Sequence, residues 1–73
     1  MRADIKQVLA DMKERIYELQ RDLGMYLDNE QDELNAIPED NEEYERQEDI
    51  VTALKDAVDN LEDAMDNLQI AID

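Results

Sequence analysis

Apolar residues recur along this chain at alternating steps of three and four. Ile5, Leu9, Met12, Ile16, Leu19, Leu23 and Tyr26 make one such run. Tyr44, Gln47, Val51, Leu54, Val58, Leu61, Met65, Leu68 and Ile72 make a second, with Gln47 its one polar member. A strand alternates with a period of two, so neither run fits one; both are heptad seams of amphipathic helices. Past Tyr26 the first seam would land on Glu30 and Glu33, whereas the apolar residues move to Leu27, Leu34 and Ile37. That shift predicts a stutter, where the helix locally relaxes its supercoil. Gly24, the only glycine, falls at this point. A glycine inside a helix costs ~1 kcal/mol relative to alanine, so Gly24 reads as a close helix approach, a weak point or a tolerated glycine.

Pro38 separates the two runs. It cannot continue a helix, and it drives Ile37 out of helical geometry. Asp40 followed by Glu43 has the capping-box spacing, and Asn41 is an equally good cap. Glu42, Glu43 and Glu45 then suit the positive end of a helix macrodipole. The pattern predicts helices over about 3–36 and 42–72, joined by a turn over about 37–41. Each helix would be ~50 Å long at 1.5 Å rise per residue, and so short a turn folds them antiparallel. The expected fold class is all-α: one antiparallel two-helix hairpin with coiled-coil-like packing, spanning 1–73.

A second stripe widens the apolar face. Ile50, Ala53, Ala57, Ala64 and Ala71 run beside the seam of the second helix, and Val8 and Leu27 beside that of the first. A two-helix contact does not need so wide a face. Two hairpins are therefore expected to dimerise into a four-helix bundle, with self-association centred on Ala57, Leu61, Ala64, Leu68 and Ala71.

Charge changes the picture most. The 73 residues hold 22 acids and 7 bases, a net of −15. Residues 1–25 balance Arg2, Lys6, Lys13, Arg15 and Arg21 against Asp4, Asp11, Glu14, Glu18 and Asp22, so the rest of the chain carries the whole imbalance. This argues against direct binding of nucleic acid or an anionic membrane. The stretch AVDNLEDAMDNLQIAID, residues 57–73, repeats an apolar-acidic heptad with no base after Lys55. Asp56, Asp59, Asp63 and Asp66 fall in line on one helical face at ~4.5–6 Å per step, and Glu62 widens the row. Such a row resembles the charges of a nucleic-acid strand closely enough to occupy a cationic groove. The expected partner is a protein with a basic surface.

Other chemistry is thin. Without Cys or His the chain lacks disulfides, thiolate nucleophiles, common zinc sites and His-based acid/base catalysis. Asp28, Glu30, Asp32 and Glu39 match positions of a calcium loop, but Glu33 stands where the loop requires glycine. Glu-x-x-Glu spacings in the second helix read as a solvated face. No catalytic residue, cofactor or metal is expected, and the chain reads as non-enzymatic. No apolar run is long enough for a signal or membrane segment, so a cytoplasmic location is expected.

Gln31 with its acidic neighbours, the Ile37-Pro38-Glu39 turn, the Glu45-Arg46 pair and the heptads of 57–68 carry a resemblance over about the last 45 residues. In these features the chain resembles small acidic helical-hairpin proteins encoded by phages and integrative elements of Gram-positive bacteria, a group with no settled activity. The resemblance implies a mobile-element context. In that context small acidic helical proteins often act as nucleic-acid mimics against defence or regulatory proteins.

Overall fold

The computed structural model describes residues 2–73. Helix α1 runs Ala3–Ala36 and helix α2 runs Glu42–Ile72, with no strand among the described residues. The chemistry of the turn is local. Ile37, ahead of Pro38, is extended at φ −93° and ψ 129°, and its N–H still donates to the Leu34 carbonyl at 3.1 Å. The Asn41 N–H closes the turn on the Pro38 carbonyl at 3.0 Å. Of the two candidate caps, Asn41 is the one used: its side chain accepts the Glu43 N–H at 2.9 Å.

The helices pack antiparallel along a rod of 56 × 15 × 12 Å. Cross-helix hydrogen bonds mark the direction, because Lys13 meets Gln69, Gln20 meets Glu62 and Glu30 meets Gln47. Residue numbers rise on one helix as they fall on the other. No helix is long and apolar enough to cross a membrane among the described residues.

On α2 the contact face is the one the spacing predicts. Gln47, Val51 and Met65 are buried and the remaining seam residues half-buried. On α1 the structure corrects the expectation. Leu9, Ile16 and Leu23 do face inward, but Ile5, Met12, Leu19 and Tyr26 are 37, 40, 56 and 63% exposed. Lys6, Lys13 and Gln20, all half-buried, take their places, followed by Leu27 and the buried Leu34.

The contact line of α1 is therefore 9, 13, 16, 20, 23, 27, 30, 34, an unbroken alternation of fours and threes. The heptad frame has no stutter; the apolar stripe instead crosses from one edge of the frame to the other. A long helix behaves as one stiff rod, so its rotation about its axis is set once for its whole length. Next to the tight turn, Leu27, Leu34 and Ile37 take up the contact with α2, and this rotation leaves Ile5, Met12, Leu19 and Tyr26 at the rim.

Gly24 lies inside continuous helix with helical φ, and a Cβ built there meets nothing within 4 Å. Close helix approach is therefore not its role.

Candidate interaction surfaces of the hairpin

Three surfaces follow from this rotation. The first is the edge where polar residues of α1 reach across to α2. Lys13 Nζ donates to Gln69 Oε1 at 2.6 Å. Gln20 Nε2 donates to Glu62 Oε2 at 2.9 Å and to the Val58 carbonyl at 3.2 Å. Nearer the turn, Gln47 Nε2 donates to the Glu30 carbonyl at 2.9 Å and to Glu30 Oε2 at 2.6 Å. Every buried side-chain nitrogen or oxygen among the described residues has a partner. Sequence spacing alone did not single out Lys13 and Gln20. Stepping back by sevens from Leu34 through Leu27 would have found them, since that series continues through Gln20, Lys13 and Lys6.

The second surface is the outer face of α2. Asp56, Asp59, Asp63 and Asp66 are all exposed and follow one another along the helix. Ion pairs among the described residues join Arg2 to Asp4, Arg21 to Asp22 and Arg46 to Glu43, and none reaches this row. Glu62 is set apart from the other acids: it is exposed, but one carboxylate oxygen accepts the Gln20 amide. The four aspartates thus present unneutralised charge to solvent. Like charges at i and i+4 cost an isolated helix a few tenths of a kcal/mol per pair, so packing against α1 must offset that repulsion.

The third surface is the edge opposite the polar one. When a helix pair is antiparallel, the same edge of each heptad frame lies on the same side of the pair. Glu62 and Gln69 mark the polar edge of α2; Ile50, Ala57, Ala64 and Ala71 repeat every seven residues on its other edge. Ile5, Met12, Leu19 and Tyr26 repeat every seven on the matching edge of α1. The two stripes lie side by side. Met12, Arg15, Ile16 and Leu19 line a shallow, mostly apolar groove there. Of the residues expected to mediate self-association, Ala57 and Ala64 are half-buried and Ala71 exposed on this edge. Leu61 and Leu68 are half-buried in the seam beside this edge.

The pattern of a calcium loop dissolves in three dimensions, because residues 28–36 are α-helical. Among the described residues no group of three or more acids is placed to hold a metal ion. Comparison with known proteins supplies no family: no protein-family model matches the chain, and no curated protein or solved structure matches it either.

Proposed function

We propose that this hairpin is a non-enzymatic interaction module, acting in the cytoplasm, that binds a basic protein surface through the acid row of α2. In its sharpest form the row stands in for a nucleic-acid strand and blocks a nucleic-acid-binding defence or regulatory protein. One observation carries the reading: Asp56, Asp59, Asp63 and Asp66 are exposed, in line, and joined to no base among the described residues. A rigid helix holds such charges at fixed intervals, so little conformational entropy is lost when a cationic groove closes on them. The resemblance to phage and mobile-element hairpins agrees with this use by analogy.

Immobilised protein should retain basic nucleic-acid-binding proteins from lysate at low salt and release them in a salt gradient or to a double-stranded oligonucleotide. The variant with all four aspartates changed to asparagine should retain none of them. Equal retention by that variant at low salt would end the mimicry reading.

A second reading is favoured by the third surface. Here the hairpin is an assembly module, two copies packing into an antiparallel four-helix bundle, and the acidity keeps a small protein soluble. The observation behind it is the exposed apolar edge of α1, where Leu19 and Tyr26 are more than half exposed. Under this reading neutralising the acid row leaves the assembly intact.

A further inference from the structure

The hairpin leaves more surface in water than a chain of its size should. A globular protein of 8.6 kDa exposes about 4,700 Å². This one exposes 5569 Å², an excess of about 900 Å² over that expectation. A standard protein interface takes about 800 Å² from each partner. Part of that excess comes from the elongated shape, 56 × 15 × 12 Å, and its size is enough to supply one partner's share of a standard interface.

Charge says where that interface lies. From Ile5 to Tyr26 on α1 and from Ile50 to Ala71 on α2, the apolar edge and the positions flanking it carry only Arg15 and Asp22. The same chain holds 22 acids and 7 bases. Asn60 and Asn67 stand on this side of α2, while Asp59, Asp63 and Asp66 point elsewhere on the helix. A basic partner finds nothing to attract it here. A second copy carrying −15 would be repelled at the acid row of α2, but not on this edge.

Shape says how the copy sits. The α1 half of the edge is built of large side chains, Ile5, Met12, Leu19 and Tyr26; the α2 half is mostly alanine, Ala57, Ala64 and Ala71. Small residues on one strip let a neighbouring helix approach and receive the large ones. We infer that this edge is the docking surface for a second copy of the chain, related by a two-fold axis along the rod. The large side chains of each α1 then pack on the alanines of the partner's α2. Such an interface is isologous, each copy giving both the ridge and the groove. It also keeps neighbouring helices antiparallel and leaves both acid rows on the outside.

This inference rests on the assembly reading and adds the surface and its occupant. The test is sedimentation equilibrium of the full chain, with helicity followed by circular dichroism. The wild type should be a dimer at tens of micromolar. The double variant Met12→Glu with Leu19→Glu should keep its helicity, since both side chains are at least 40% exposed in the hairpin. Its dimer should be at least about 100-fold weaker, because two large apolar side chains per copy lose their burial. Met25→Glu, at a side chain just as exposed but on another face, should leave association unchanged. If the double variant loses helicity, Val8→Glu on the same side is read in its place. A wild type that stays monomeric overturns the assembly reading and this surface together. A dimer that survives the glutamates overturns the surface alone.

Discussion

The Gln47 amide on α2 holds Glu30 on α1 by two atoms at once, the main-chain carbonyl at 2.9 Å and the carboxylate Oε2 at 2.6 Å. It does so while 9% exposed, in a hairpin whose only buried apolar residues are Leu34, Val51 and Met65 among those described. In so thin a core such a polar pair is expected to fix which residues lie opposite one another more than to add stability.

Replacing Gln47 tests that balance. Gln47→Ala removes both hydrogen bonds and the packing of a buried stem, and should cost about 1–2 kcal/mol. Gln47→Leu should fall within about 1 kcal/mol of the wild type. The Glu30 carbonyl keeps its bond within α1, and the carboxylate can turn to water. Urea unfolding of both variants decides it; a leucine variant as weak as the alanine one would make the hydrogen bonds themselves the stabilising feature.

Gly24 offers a gain. Its φ is helical and nothing stands within 4 Å of an added Cβ. Gly24→Ala should therefore stabilise the hairpin by about 0.5–1 kcal/mol, through the lower entropy of the unfolded chain. In a domain of this size that raises the melting temperature by roughly 2–8 °C. A lower melting temperature would mean that the helix uses the glycine for something its surroundings do not reveal.

At the turn, the two candidate caps separate cleanly. Asn41→Ala should cost about 1 kcal/mol, since its side chain satisfies the Glu43 N–H. Asn41→Gly should cost only a few tenths, and Asp40→Ala should be close to neutral. Thermal unfolding of the three variants measures the order, and an Asp40 effect equal to that of Asn41 would contradict the capping geometry.

The turn and α2 were legible in the sequence because their determinants are local or continuous. Pro38 and Asn41 act on their own neighbours, and the α2 seam is a single uninterrupted pattern from Tyr44 to Ile72. The rotation of α1 was legible only by counting back in sevens from Leu34, against the pull of an all-apolar seam. Ile5, Met12, Leu19 and Tyr26 complete an all-apolar seam on paper, yet Lys6, Lys13 and Gln20 take those places against α2. Gln69, Glu62 and the Val58 carbonyl supply the partners that make two of these polar residues acceptable there. Those partners lie some forty to sixty residues away in sequence, beyond the reach of a periodicity argument. The acid row was legible as a row. Its binding partner was not, because sign and spacing select a class of surface and nothing narrower.

Net repulsion should make the fold sensitive to salt. The ion pairs of the described residues are three and exposed, against a net charge of −15. Raising ionic strength from about 0.01 M to 0.15 M shortens the Debye length from about 30 Å to about 8 Å. The melting temperature should rise over that range. Asp63→Lys should raise it too at low salt, because it relieves the row and places a base four residues after Asp59, worth about 0.3–0.5 kcal/mol. A melting temperature that falls with added salt would show that attractive pairs outweigh the repulsion.

The fullest burial in the hairpin is not spread evenly along its length. Three of the four buried side chains, Leu34, Gln47 and Val51, lie within the first turns from Pro38; the fourth, Met65, sits towards the open end, where Ile5 is exposed and Ile72 half-buried. Contacts beside the turn also close the shortest loops, which carry the least entropic penalty. The hairpin is therefore expected to zip from its closed end and to fray first at its open one, outside Met65. Amide protons should exchange with solvent in that order, fastest near the termini and slowest around Leu34 and Val51. A pair of tweezers behaves in the same way: the tips part while the joint holds.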